Sequence, residues 1–573
     1  NPKLMCGICG GNYALEIVQK ASVAMRHRGL DAKGSFSDEK FSFAHNRLSI
    51  IDLQAQANQP FISPYCPHFV LVFNGEIYNY LELKAELKSL GIPFFTTSDT
   101  EVLLHSYALW GEKCLQKFNG DFAFCIYDKR DSSLFLARDR LGNKPLFYAL
   151  KGEKIFFASE IKAFLAVESY ALDLEEVSKW LLFSNGDSKK SIYQGILNFP
   201  SAHFAHFKLG DRELKFQKYW DFEPDFEAIS NALSDAKALQ NALEELESLL
   251  QDSTRIRLRS DVPLALCVSG GVDSSILAHF IAREKVDCRY FGLNFKDNAQ
   301  GDESAHIKQL AEDLKIPIHF VSPSLDSIAE DLQSLCYTQD EIFRSFSVYS
   351  QFLLFRSIAP YCKVSLGGQG ADELFGGYYH HIGRFCFAYF ETFKERVKLY
   401  GNAAFKEYAF GLKCALDREL KLQLFQEDNA RDIEKLQSLG LPIPTLENLL
   451  ERFLPDFSQG LWLDTMVFNL PNLLRYEDRN AMAFGIENRT PFTDYRVVEF
   501  AFRIAEGFKV QKGYSKYLLR LLLEKLGSKS LAWRRDKIGF SAPEFCLMQT
   551  LGYNANSLFD IRLAILETLK GRL

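Results

Sequence analysis

Several things are scarce or missing in this 573-residue chain, and each absence removes a class of function. No apolar run is long enough to span a bilayer and no signal peptide opens the sequence, so neither a membrane protein nor a secreted one is expected. Positive charge is not in excess: 67 Lys and Arg face 73 Asp and Glu, and a formal net charge of −6 provides no general basic field for nucleic acid. The twelve cysteines are scattered without metal-site spacing, Cys6-Gly7-Ile8-Cys9 being the nearest approach, so a reduced, cytoplasmic protein is expected. No internal repeat or low-complexity tract is visible. What remains is an ordinary globular composition, 47% hydrophobic and 24% charged, in a chain long enough for two to four domains.

The first half is rich in short apolar runs. Phe69-Val70-Leu71-Val72-Phe73, Phe122 to Tyr127 and Ser133 to Ala137 read as strands, and 81–90 and 101–110 carry helical periodicity, which predicts an α+β domain to about residue 200. Polar and acidic residues over 223–237 suggest a linker. Beyond it helices dominate, with strands predicted at 262–268, 288–295 and 362–366, the alternation of a helix-covered parallel sheet. From about 381 the pattern is nearly all helical.

The stretch Ser269-Gly270-Gly271-Val272-Asp273-Ser274-Ser275 lies between a buried strand and a helix start. That arrangement aims backbone N–H groups and the positive helix end at an anion, with glycines allowing close approach and hydroxyls to donate. It lacks the lysine of a GxxxxGK[ST] loop and offers the Asp273 carboxylate instead, a ligand for a hard cation such as Mg²⁺. SGG alone would be an ordinary turn. The whole SGGxDSS resembles the pyrophosphate loop of ATP pyrophosphatases, which implies ATP cleavage between the α and β phosphates.

At the other end, Met5-Cys6-Gly7-Ile8 gains meaning if Met5 initiates translation and is removed. Cys6 would then carry an α-amino group of pKa about 7.7–8.0, able to take the thiol proton without a histidine. Asn1-Pro2-Lys3-Leu4 ahead of Met5 would make that nitrogen an amide; they are expected to be a tag remnant, a miscalled start or a propeptide. His27-Arg28-Gly29, Arg47 to Asp52, Phe73 to Asn79, Ser98 to Glu101, Gly120-Asp121-Phe122-Ala123, Ala137 to Arg140 and Lys144-Pro145-Leu146 would each be a turn or strand end alone. Together with Cys6 they resemble class II glutamine amidotransferases of the amino-terminal nucleophile (Ntn) hydrolase superfamily. The resemblance makes Cys6 the nucleophile and places Arg47 on the glutamine α-carboxylate, with Leu48 and Ile50 beside it. Glu76 and Asp99 would hold the α-amine, and Asn74 with the Gly75 N–H would form the oxyanion hole. The Cys6-to-Arg47 spacing is shorter than such domains ordinarily have, consistent with a trimmed early loop.

An amidotransferase half followed by a pyrophosphatase loop resembles the glutamine-hydrolysing asparagine synthetases over nearly the whole chain, weakening across 390–450. The fold implied is an α+β Ntn hydrolase domain (6–205), a connecting segment (206–237) and an α/β ATP-pyrophosphatase domain with a parallel sheet and a helical C-terminal region (238–573). Carried over by motif, Cys267, Ser269, Gly270, Gly271, Asp273, Ser274, Leu293, Gly367 and Gly368 would contact ATP. Asp273 and Asp372 would hold Mg²⁺, with Gln369 and Tyr378 in and after the second signature loop, Gly367-Gly368-Gln369-Gly370-Ala371-Asp372-Glu373. Gly301-Asp302-Glu303-Ser304 matches an acidic stretch. Leu474 to Arg479 and Glu487 to Phe492 match the segment that closes the site, and Arg535 to Phe540 the loop whose lysine, Lys537, neutralises charge at adenylylation.

One departure concerns chemistry. Some members have glutamate where this chain has Gln369, and an amide orients by hydrogen bonds without acting as a base. The implied reaction is asparagine synthesis from aspartate, ATP and glutamine through a β-aspartyl-AMP, with small molecules as partners, no nucleic acid or membrane, and a homodimer open. Amidation of another carboxylate such as a sugar acid, and a non-catalytic role in a complex, are the alternatives. A tRNA-modifying pyrophosphatase is disfavoured for want of a basic stripe and a zinc-ribbon cysteine set.

Overall fold

The computed structural model describes residues 6–232, 235–294, 303–324, 327–445, 453–536, 544–553 and 555–571. Lys537, Phe295, Gly301 and Asp302 lie outside the described residues, as do Asn1 to Met5.

Two antiparallel sheets build the first half. One has six strands in the order Ala32–Ser37, Ser42–Arg47, Gly7–Gly11, Lys154–Ala158, Phe147–Lys151, Leu197–Asn198. The other has five, Lys215–Lys218, His203–Lys208, Ser133–Arg138, Gly120–Asp128 and Phe69–Ile77. The continuous apolar runs are explained by burial on both faces, because alternate residues point to opposite sides. Val70 and Val72 meet Ile8, Phe43 and Phe157 of the facing sheet. Leu71 and Phe73 pack outward with Leu83, Leu87 and Leu103 of the helices Tyr80–Ser89 and Asp99–Trp110. On the far side Cys9, Ala44 and Phe156 pack against Val18 and Ala21 of Leu15–Ala24. The result is helix, sheet, sheet, helix, the layering of an Ntn hydrolase. His203–Lys208 and Lys215–Lys218 continue the second sheet past residue 205 into the stretch expected to be a connector, and a short helix, Phe226–Asn231, lies inside the expected linker.

The second half is organised on a five-stranded sheet, Ile318–Val321, Cys288–Leu293, Leu264–Val268, Val364–Leu366, Glu487–Arg489, with every pairing parallel. The chain lays down the central strand first, moves outward on one side, then returns to the other. The order therefore reverses between Leu264–Val268 and Val364–Leu366. In open α/β sheets such a switch point opens a crevice beyond the carboxyl ends of the strands, where ligands bind. The two signature loops leave these two strands. Helices cover both faces and make up most of the chain beyond 371.

Candidate active sites

The first site lies where Cys6 meets the edge of the sandwich. Cys6 precedes Gly7–Gly11 and is half-buried; its thiol donates to the Leu48 carbonyl at 3.6 Å, and the Arg28 Nε holds its carbonyl at 3.0 Å. Burial pushes the thiol up to about 12, the Leu48 contact and Arg47 offsetting only part, so it rests protonated. Across the sandwich, Phe69–Ile77 presents Asn74, Gly75 and Glu76. Asn74 is wholly buried, yet neither its Oδ1 nor its Nδ2 has a partner among the described residues. An orphaned buried amide costs on the order of 1–3 kcal/mol, so a pair of unmet atoms points to a ligand. Gly75 has φ +143°, and a Cβ there would run into the Asp121 carbonyl, so only glycine fits.

Glu76 and Asp99 are hydrogen-bonded to each other, and Asp99 also accepts from the Ile77 N–H at 3.0 Å. Burial raises both carboxyls, Asp99 to about 6, and Glu76 is raised further by Asp99. Two buried acids sharing a proton make a receptor for an ammonium, which would replace that proton. Arg47 is occupied: it donates to Gln54 O, Asn58 Oδ1, Ile51 O and Asp52 O. In this structure its guanidinium holds the 51–58 loop, and a glutamine carboxylate would have to displace part of that set. Leu48 and Ile50 are buried beside it, and the Ile50 carbonyl accepts from the Asp261 N–H at 2.9 Å, three residues before the strand Leu264–Val268.

The second site is at the switch point. Leu264–Val268 runs into Ser269 and Gly270, and the helix Val272–Glu284 begins at Gly271 with no side chain capping it. Gly270 takes φ +63° and packs so tightly on His306 that a Cβ would come within 2.6 Å. Ser269 and Ser274 brace the turn through Ser269 N–H to Ser274 Oγ at 3.2 Å. The second loop comes close: a Cβ on Gly368 would stand 3.0 Å from the Asp273 Cβ. Cys267 is half-buried with Sγ 3.7 Å from Ser365 Oγ, Leu293 ends the neighbouring strand, and Gln369 is half-buried at the junction.

Asp273 and Asp372 converge on one cation, the Lys516 ammonium, at 2.7 and 2.5 Å. The two carboxylates therefore lie within about 5 Å of each other, a pair of hard oxygen donors that fits Mg²⁺. Burial works against charge on Lys516, but Asp273 and Asp372 outweigh it and hold the ammonium above the ordinary lysine range. Lys516 takes a left-handed conformation, φ +53°, before the helix Tyr517–Leu526. Sequence reasoning missed it, for a lone lysine between serine and tyrosine carries no local signature. It also missed Arg534, which donates to the Gly270 carbonyl and to Glu303, both at 3.0 Å, and ties the segment leading to Lys537 onto the first loop. Beyond the second loop, Tyr378 and Asn469 both donate to Glu373, whose carboxyl is raised to about 7 by burial and by Asp372.

One helix, Leu470–Met482, reaches both sites. Asp478 bonds Arg28, which holds the Cys6 carbonyl, while Glu477 borders Gly367 of the second loop. Arg479 and Arg28 share Glu160. A cavity of about 200 Å³ between the halves is lined in part by Asn143, Asp478 and Arg479.

Comparison with known proteins agrees with this division of labour. A family described as "Glutamine amidotransferase domain" matches residues 5–220, and one described as "Asparagine synthase" matches 245–567. The chain is 30% identical to asparagine synthetase [glutamine-hydrolyzing] 3 of Bacillus subtilis, over 93% of this chain and 86% of that protein. It is 28% identical to asparagine synthetase [glutamine-hydrolyzing] 1 of the same organism, over 92% and 84%, and 26% identical to Amidase chry2 of Gibberella zeae, over 87% and 80%. An Ntn-type glutaminase half joined through shared packing to a parallel-sheet synthetase half makes this chain an enzyme, a ligase, of the glutamine-hydrolysing asparagine synthetase family.

Proposed function

We propose that the protein makes asparagine from aspartate, using ATP to activate the acceptor and glutamine as the source of ammonia. Cys6 attacks the glutamine side-chain amide, Asn74 and the Gly75 N–H receive the oxyanion, and ammonia leaves from the thioester-forming step. Arg47 and the Glu76–Asp99 pair address the two charges of the amino acid. The resting thiol donates to Leu48 O, a peptide carbonyl that cannot take its proton, and has no hydrogen bond to an acid or base among the described residues, so we assign the proton acceptor to the α-amine of a chain that begins at Cys6. Ammonia then passes between the halves along the helix Leu470–Met482.

At the second site the 269–275 loop and the Gly367–Gly368 turn bind ATP, with Cys267 and Leu293 against the base. Asp273 and Asp372 would hold Mg²⁺, which when bound would balance the charge of the departing pyrophosphate. Lys516 sits between these carboxylates and can follow the charge that develops on the phosphates; Lys537 is a second candidate for that role. Aspartate arrives already ionised, so its carboxylate oxygen attacks the α-phosphorus without a general base, pyrophosphate leaves, and ammonia displaces AMP. Gln369 orients oxygens of the acceptor or ATP. The observation that carries this reading is the convergence of Asp273 and Asp372, from the two loops of the switch point, on Lys516.

A second reading, amidation of another carboxylate, draws support from Gln369 in the acceptor loop and from a relative named as an amidase. Incubation with ATP, Mg²⁺, glutamine and a panel of carboxylates, followed by identification of the amide, decides between them. Asparagine and AMP are expected; an amide formed only from a different acid would replace aspartate in the scheme.

A further inference from the structure

We propose that Glu477 accepts the proton that ammonia must lose when it attacks the acyl-adenylate. The inference rests on the acyl-adenylate reading above and adds a residue to it. When the nitrogen lone pair forms the new N–C bond, the C–O bond to phosphate breaks and AMP leaves with its electron pair. The nitrogen then carries a surplus proton that needs a base.

The carboxylates near the switch point are mostly engaged. Asp273 and Asp372 share Lys516. Glu373 accepts from Tyr378 and Asn469 at 2.8 and 2.7 Å. Gln369 has an amide, and the Cys267 thiol is pushed up to about 12 by burial. Glu477 is different. It is 7% exposed, its Oε2 has no partner among the described residues, and its Oε1 lies 3.0 Å from where a Cβ on Gly367 would be. Glycine at 367 therefore leaves open the space into which the carboxyl points. A buried acid without a cation is costly, and such a group persists where it has a task.

Its place on the helix supports the assignment. The next residue, Asp478, turns to Arg28 and so to Cys6, so Glu477 stands on the synthetase side of the element that joins the two centres. Ammonia released at Cys6 and moving along this helix meets Glu477 at the rim of the second loop. Burial raises the Glu477 carboxyl to about 8, which makes its ionised form a stronger base than an exposed glutamate and matches it to work near neutral pH.

The test separates the two half-reactions in the full chain. For wild type, Glu477→Gln and Glu477→Asp, pyrophosphate release with aspartate is measured alongside amide formation from glutamine, from ammonium and from hydroxylamine. Glu477→Gln should release pyrophosphate at close to the wild-type rate, while asparagine from either nitrogen source falls by about 10²–10⁴-fold. Hydroxamate should fall far less, because the hydroxylamine adduct is acidic enough to give its proton to water. Glu477→Asp should recover part of the amide synthesis. Undiminished asparagine in Glu477→Gln, or joint loss of pyrophosphate, asparagine and hydroxamate in both variants, would overturn the assignment. Wild type that forms no amide from ammonia and any acceptor would instead sink the underlying reading, before any variant is compared.

Discussion

Cys6, Asp99 and Lys516 carry separable consequences. Replacing Cys6 by alanine removes only the nucleophile, so glutamine-dependent synthesis should vanish while synthesis from added ammonia stays near wild type; parallel assays with each nitrogen source check this. Asp99 shares a proton with Glu76, and an incoming α-ammonium must displace it. As pH rises through about 6 Asp99 ionises while Glu76, raised well above the usual carboxylate range, keeps the shared proton; the pair turns anionic, so the KM for glutamine should fall over the same range, with kcat less affected. Asp99→Asn should flatten this profile and raise KM; a profile identical to wild type would remove the residue from ammonium binding. Lys516→Met leaves Asp273 and Asp372 facing each other without their shared cation. Removing one member of a buried charge cluster is strongly destabilising, about 3–5 kcal/mol, unless a metal ion takes its place. The expected outcome is loss of aspartate-dependent pyrophosphate release with glutamine hydrolysis intact, and a melting temperature that Mg²⁺ restores in part. Glutaminase loss in step with synthetase loss would mean that the lysine only holds the fold.

Among the elements, those buried on both faces were the easiest to read. Phe69–Ile77 and Gly120–Asp128 announce themselves as apolar runs because each is packed between a sheet and a helix layer. Ile318–Val321 escaped notice because its four residues are half-buried or exposed, and Glu487–Arg489 because its three polar residues, Glu-Asn-Arg, have no strand signature. The loops of the switch point were legible as motifs, since their glycines and acids are local. Lys516 and Arg534 were not, since their partners lie hundreds of residues away and only the fold brings them in. The short turn Glu506–Phe508 illustrates the same limit: it leads into Lys509, a wholly buried lysine whose Nζ has no hydrogen-bond partner among the described residues and lies over the Phe502 ring at 4.6 Å. Burial lowers its ammonium to about 7, with Glu506 opposing. The unfolded chain binds this proton up to about 10.4 while the folded one releases it near 7, so stability should rise with pH across that interval. Lys509→Met should be more stable than wild type at pH 7, and the difference should shrink toward pH 10; thermal melts of both across this range check it.

At the scale of the whole molecule, the halves are joined by buried charge. Arg28 is fully enclosed between Glu160 of the first half, at 2.6 Å, and Asp478 of the second, at 2.9 Å, and Arg479 reaches back to Glu160 at 2.8 Å. Burial alone would raise the Glu160 carboxyl, yet Arg479, His27, Lys162 and Arg28 hold it well below the usual carboxylate range. Its contribution to stability is thus present above the unfolded carboxylate pKa of about 4.3 and is lost as pH falls below it. Arg28→Met should cost about 3–5 kcal/mol by leaving Asp478 without its arginine, and the wild-type protein should melt in one transition that divides into two in the variant. Calorimetry distinguishes these outcomes; a variant that still melts in one step would mean that apolar packing alone joins the halves. The helix Leu470–Met482 sets a stricter condition. Each residue along a helix advances about 1.5 Å and turns by about 100°. Glu477 and Asp478 keep their separate appointments, one at Gly367 and one at Arg28, only in a single angular phase. An insertion or deletion of one residue ahead of them would swing both off target at once, so this stretch has no freedom in length.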